Sequence, residues 1–277
     1  MPELPEVETI RRALAREILG YRVTRTTVRE RRLRRPVSVA SLRRLEGGDF
    51  TAIGRRAKYL LLSTGHGHTA VIHLGMTGRV DVFSIERDFG THDHVEWELE
   101  HPSRGPLKMR FHDPRRFGVV ARLKTSGLAR HRMFAHLGPE PLSSDFGSDH
   151  LWAGTRGSRR PIKNAMMDAR LVVGVGNIYA SEALWRAGVH PARPAGRISR
   201  LRLARLHDEI VNVLGDAIDA GGTTLSDYRD PAGESGYFQV RLDIYDRANA
   251  DCRRCGRIVR RIVQAGRSTY YCPGCQR

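Results

Sequence analysis

All four cysteines of this 277-residue chain lie in its last 26 residues. They form two C-x2-C pairs, Cys252-Arg-Arg-Cys255 and Cys272-Pro-Gly-Cys275, with 16 residues between. Two thiolate pairs on tight turns close a tetrahedron around one Zn²⁺. A secreted disulfide scaffold would spread its cysteines along the chain, so a local metal site in a reducing compartment is the reading, with redox use of either pair as the minor alternative. Four protein sulfurs leave no open coordination position, so Cys252, Cys255, Cys272 and Cys275 hold a structural metal. The intervening RIVRRIVQAGRSTYY alternates as a β-hairpin and carries Arg257, Arg260, Arg261 and Arg267. Those arginines either face a polyanion or are a solvated basic face.

Charge favours the polyanion. Lys and Arg total 47 against 30 Asp and Glu, giving a net +17. Arg predominates, in RRALAR, RERRLRRP, DPRRFG and RGSRRP, and its planar fork suits phosphates and base edges. An excess of this size points to nucleic acid, with a merely basic protein as the alternative. There is no run of ~20 apolar residues and no basic amphipathic helix with exposed aromatics. The N-terminus also lacks the apolar stretch of a secretory signal.

Along the chain the pattern changes three times. Val7, Ile10, Leu14 and Ile18 share one helical face over residues 6–19, with Glu6 and Glu8 in the first turn where acid suits the helix dipole. From 21 to 124, runs such as KYLLLS, AVIHLGM, HVEWELE, KMRFHD and FGVVARL alternate between turn residues, as in an antiparallel β-sandwich or barrel. LGPEPLSSDFG carries loop signals and reads as a linker. LARHRMFAHL, IKNAMMDARL, NIYASEALWRAG and ISRLRLARLHDEIVNVLGDAI read as helices. The Gly-rich GGTTLSDYRDPAGESGYF that follows reads as a flexible segment. The fold class is α+β, divided into residues 1–127, 128–222, 223–242 and 243–277.

In order along the chain, MPELPEVET, HLGMTG, HDPRRFG, LGPEPL, IKNAMMDARLVVGVGNIYASEALWRAGVHP, GGTTL and YYCPGCQ resemble the formamidopyrimidine-DNA glycosylase family. The matches span residues 2–276, and PELPEVE and GVGNIYASE are long and specific. Related endonuclease-VIII-type enzymes usually begin PEGPE, so Leu4 favours the formamidopyrimidine branch. The resemblance implies an N-terminal helix and β-sandwich, a helix–two-turn–helix domain, a lid over the extruded base and a C-terminal zinc finger.

What the resemblance implies for chemistry fits the residue types. On its own Pro2 is a helix-start proline. With Met1 removed it is a secondary amine whose pKa of about 8 leaves a useful neutral fraction, hence a nucleophile and Schiff-base former. Glu3 is then the general acid/base at the sugar, Glu6 orients the terminal turn, and Glu8 reads as a solvated helix residue. Lys58 and Arg267 match residues that contact phosphate and assist elimination. Extruding a base leaves a hole; Met76, Arg115 and Phe117 match the residues that fill it, Met and Phe as wedges and Arg on the orphaned base. His92, Arg116, Lys163 and Asn177 match DNA-backbone contacts, with Asn177 also a helix N-cap beside phosphate-accommodating glycines. Glu182 reads equally as a catalytic or a buried structural carboxylate. In the lid, Ser226 stands where a basic residue is common, and Asp246 replaces a glycine further on.

The implied activity is base-excision repair: a glycosylase/AP lyase removing 8-oxoguanine and formamidopyrimidines from duplex DNA by β,δ-elimination. It needs one structural Zn²⁺ and no catalytic cofactor, and acts as a monomer on double-stranded DNA in the cytoplasm with no membrane partner. The alternatives are an endonuclease-VIII-like enzyme for oxidised pyrimidines and a catalytically silent zinc-ribbon DNA-binding protein.

Overall fold

A computed structural model of the chain describes residues 2–84, 86–221 and 242–277. The expectations for the lid, including that for Ser226, lie outside the described residues. Two compact units contain these residues, 2–135 with 221 in one, 136–220 with 242–277 in the other.

The first unit opens with α1 (Leu4–Ile18). Its apolar stripe of Leu4, Val7, Ile10, Leu14 and Ile18 is buried, as the i, i+3, i+4 spacing dictates. The strands are β1 (Arg22–Val28), β2 (Phe50–Arg56), β3 (Tyr59–Thr64), β4 (His68–His73), β5 (Arg79–Phe83), β6 (Asp93–Glu100), β7 (Leu107–His112) and β8 (Val119–Lys124); a single turn of helix, α2 (Val39–Leu42), follows β1. They form two four-stranded sheets, ordered β1-β6-β7-β5 and β2-β3-β4-β8, with every pairing antiparallel. Of the sandwich and the barrel, the sandwich is found. Val23, Leu60, Leu62, Ile72, Val80, Val82 and Trp97 from the two sheets share one core with α1.

The second unit contains α3 (Ser148–Thr155), α4 (Ile162–Met166), α5 (Asn177–Arg186) and α6 (Arg200–Asp219). Ser199 caps α6 by accepting the Arg202 amide. Leu203, Leu206, Ile210, Val213 and Leu214 of α6 are buried in a core shared with α3 and α5. A hairpin of β9 (Arg260–Gln264) and β10 (Arg267–Tyr271) ends the unit.

Two helical expectations are corrected. LARHRMFAHL forms successive turns, not a helix. The His131 ring accepts the Met133 amide, a local bond that competes with the helical ladder. In IKNAMMDARL only Ile162–Met166 is helical; Asp168 accepts the Arg170 amide and guanidinium and turns the chain. Among the described residues no helix is long and apolar enough to cross a membrane.

Candidate active site and nucleic-acid interface

The N-terminal turn is built around two buried carboxylates. Glu3 is the N-cap of α1, and its amide donates to Glu6 Oε2 at 2.7 Å. Glu3 and Glu6 are 2% and 4% exposed, and Pro2 is buried beside them. Reciprocal capping fixes the backbone direction at the terminus, so the position of Pro2 is set by the helix and not by a loose tail. Glu8 departs from the solvated expectation. Its carboxylate binds Arg11 at 2.7 Å, Arg12 at 3.2 Å and Arg55 at 3.1 Å. Burial raises its pKa, but bonds to Arg11 and Arg55 outweigh this and leave it below the ordinary value. Glu8 therefore ties α1 to β2.

Lys58 occupies the two-residue turn between β2 and β3, after Ala57 at φ 53°. Arg55 Nη1 donates to the Ala57 carbonyl at 2.8 Å. Across the ladder Tyr59 pairs with His73, and their rings lie 4.8 Å apart. Burial, then the charges of Lys58 and Arg34, push the His73 pKa down to about 4. His73 is thus neutral, and its Nδ1 accepts the Gly75 amide at 2.9 Å.

That bond starts the turn carrying Met76. Met76 is 41% exposed and Phe117 43%, so neither is the core residue that strand-end placement alone suggests. The Arg115 guanidinium lies 4.6 Å above the Phe117 ring, and residues 114–117 are all exposed. The two turns touch: a Cβ on Gly75 would come within 2.5 Å of the Phe117 carbonyl carbon. Asp113, fully buried, accepts from Thr77 Oγ1 at 2.8 Å and from the Gly118 amide at 2.7 Å. Arg116, at φ 55°, pairs with Glu30 at 3.2 Å.

His92 is half-buried, its ring 5.8 Å from that of His112. The loop before it is anchored by Arg110. That guanidinium binds Glu96, Asp93 at 2.9 Å and the carbonyls of Arg87 and Asp88. It also lies 4.8 Å and 4.4 Å from the ring centres of Phe83 and Phe89. Asp93 turns its other oxygen to His112 at 2.7 Å.

In the second unit, Gly176 is the N-cap of α5 and Asn177 its first residue, which corrects the expected cap. Lys163 is 1% exposed. Its ammonium donates to Asn177 Oδ1 at 2.5 Å, Thr269 Oγ1 at 2.7 Å and the Ser268 carbonyl at 3.2 Å. Asn177 Nδ2 reaches the same carbonyl at 3.0 Å. Lys163 and Asn177 thus grip the hairpin one residue beyond Arg267, whose side chain is exposed along with those of Arg257, Arg260 and Arg261. Glu182 accepts the amides of Asp243, Ile244 and Tyr245 at 3.0, 3.0 and 2.8 Å, although burial still holds its pKa above the ordinary value. Of its two readings, the structural one has the geometry.

Sulfurs of Cys252, Cys255, Cys272 and Cys275 all lie within 4.8 Å of one another. Zn–S bonds of about 2.3 Å in a tetrahedron put sulfurs about 3.8 Å apart, so the donor set fits one Zn²⁺. The Trp185 indole N–H donates to Cys252 Sγ at 3.4 Å. Burial raises the Cys252 pKa, but the Arg254 amide and Trp185 outweigh it and bring it below the ordinary value, whereas burial holds Cys272 and Cys275 above theirs.

Sequence reasoning missed Asp113, Arg110 and Thr269. Asp113 was in view inside HDPRRFG, but only the carboxylate's two partners, 36 residues upstream and 5 downstream, reveal what it joins.

Three family models match this chain. They are the formamidopyrimidine-DNA glycosylase N-terminal domain over residues 1–120, the H2TH domain over 137–229, and a zinc finger found in FPG and IleRS over 252–277. The formamidopyrimidine-DNA glycosylase of Thioalkalivibrio sulfidiphilus is 48% identical over 277 residues, covering both chains in full. The MutM (Fpg) crystal structure from Thermus thermophilus superposes with a TM-score of 0.85 at 40% identity, covering 99% of this chain and 98% of that one. Lactococcus lactis Fpg bound to Fapy-dG-containing DNA gives 0.89 at 31% identity, covering 99% and 100%.

Proposed function

The chain belongs to the formamidopyrimidine-DNA glycosylase family, and from that premise we propose how its own residues divide the work. It is a base-excision-repair enzyme, a DNA glycosylase and AP lyase for oxidised purines in duplex DNA, with a structural zinc finger.

The observation that carries the residue assignment is the buried Pro2–Glu3 start of α1, locked by Glu6. Once Met1 is removed, the Pro2 nitrogen is a secondary amine with a pKa of about 8, partly neutral near pH 7. It attacks C1′ of the extruded nucleotide as the bond to the damaged base breaks, and the base leaves with the bonding pair. The Pro2 N–H proton passes to the departing base anion, Glu3 delivers a proton to the sugar ring oxygen, the C1′–O bond breaks, and an iminium joins Pro2 to C1′. The Glu3 carboxylate, now ionised, stabilises that cation. Loss of a C2′ proton then expels the 3′ phosphate, and a second elimination expels the 5′ phosphate. Lys58 and Arg267 contact these phosphates and assist the eliminations.

Met76 and Phe117 wedge into the duplex while Arg115 bonds the base opposite. His92 and Arg116 hold the DNA backbone. Asn177 meets a phosphate at the start of α5, and Lys163 acts from behind it through Asn177 Oδ1. Cys252, Cys255, Cys272 and Cys275 hold the zinc, which supplies no chemistry to the reaction and keeps the Arg267 hairpin folded.

Borohydride reduction on 8-oxoguanine duplex should trap a covalent adduct that peptide mapping places on Pro2. Glu3→Gln should slow base release by at least about 100-fold while duplex affinity stays within about threefold. Undiminished excision by Glu3→Gln removes the acid role, and a wild-type enzyme that never cross-links removes the Schiff-base mechanism. Preferential excision of thymine glycol would move the substrate class to oxidised pyrimidines.

A further inference from the structure

We infer that Asp113 is a positioning residue for lesion extrusion, the buried clasp that sets the void-filling side chains at a fixed separation. The inference rests on the wedge roles given above to Met76, Arg115 and Phe117. Those side chains sit on two separate turns, one between β4 and β5, the other between β7 and β8. Side chains on exposed turns lose precision unless something behind them is rigid. Asp113 reaches both turns with one carboxylate. Oδ1 accepts from Thr77 Oγ1 at 2.8 Å, one residue beyond Met76. Oδ2 accepts from the Gly118 amide at 2.7 Å, one residue beyond Phe117.

Its own backbone is held too. The Asp113 amide donates to the His92 carbonyl at 3.0 Å, and buried His94 Nε2 bonds the Asp113 carbonyl at 2.7 Å. Glycines let the turns close on each other. Besides Gly75, a Cβ on Gly118 would meet the His73 carbonyl at 2.8 Å and Asp113 Oδ2 at 3.0 Å. The clasp is two bonds from one side chain, one to each turn. Asparagine keeps both bonds by turning its N–H₂ to the Thr77 hydroxyl oxygen, whereas alanine offers neither turn a partner. A buried donor left without an acceptor shifts its turn, and the wedge on that turn moves with it.

The test compares Asp113→Ala and Thr77→Val with wild type. Excision of 8-oxoguanine opposite cytosine in duplex is measured under single turnover, with incision of a preformed abasic site in single-stranded oligonucleotide as the reference. Single-stranded substrate has no void to fill and no opposite base. Asp113→Ala should slow duplex excision by about 10- to 100-fold, the range that a misplaced group costs, with single-strand incision within about twofold. The ratio of excision opposite cytosine to that opposite adenine should fall in the same variant, because Arg115 is displaced from the orphaned base. Thr77→Val, which removes one bond and keeps the shape, should show the same split more weakly, and it serves if Asp113→Ala does not fold. Equal losses on both substrates, or no loss on either in the folded variants, overturn the inference. Failure of wild-type enzyme to form the borohydride adduct would instead strike the reading it rests on.

Discussion

His73 shows how a single residue links the site to pH. Its pKa of about 4 in the fold, against about 6.5 in an unfolded chain, means the unfolded state binds the proton more readily. Stability is therefore complete above the unfolded value and falls as pH drops from about 6.5 toward 4. A histidine with these two pKa values costs about 2 kcal/mol between pH 7 and pH 5. Urea unfolding of wild type and His73→Gln at both pH values checks this: the variant should lose the smaller amount on acidification. Protonation would also remove the acceptor for the Gly75 amide, so the Met76 turn should loosen over the same window. Asp246 makes a different residue-scale exchange. It sits at φ 59°, where glycine costs least, and its carboxylate accepts the Tyr270 hydroxyl at 2.9 Å.

At the scale of elements, the turn carrying Lys58 stores strain. Ala57 at φ 53° occupies a left-handed conformation that costs a residue with a Cβ about 1–2 kcal/mol. Ala57→Gly should therefore raise stability by about 0.5 kcal/mol after the added chain entropy of glycine is counted. Thermal melting reads that shift, and abasic-site incision shows whether Lys58 keeps its place. Elements with a strong period were legible in sequence. The 3.6-residue stripe of α1 and the alternation of KYLLLS and HVEWELE appear as a helix and strands. LARHRMFAHL was not legible, because a helical apolar pattern says nothing of the His131 ring bond that turns the chain. Motifs singled out Met76 and Phe117, and the fold leaves both part-exposed on turns. Asp113, Arg110 and Thr269 were not legible, because each is defined by partners brought close only by strand pairing or packing.

For the whole molecule, the net +17 charge implies that duplex binding releases counterions and weakens steeply with salt. Arg116→Gln should reduce the slope of log affinity against log salt by about one, measured by fluorescence anisotropy from 50 to 200 mM salt. An unchanged slope would remove Arg116 from the backbone contacts. Cys272→Ser should lose zinc and duplex affinity together, by metal analysis and the same titration. The metal is not the finger's only tie to its unit, however. Glu182 receives three consecutive amides at the start of that module, and Lys163 holds Ser268 and Thr269 on the far strand. Neither grip uses a thiolate. A chelated finger would therefore stay moored at both ends while its knuckles come undone, and returning zinc would find its four sulfurs still gathered near one another, so that reloading is a local closure instead of a search through the whole unfolded tail.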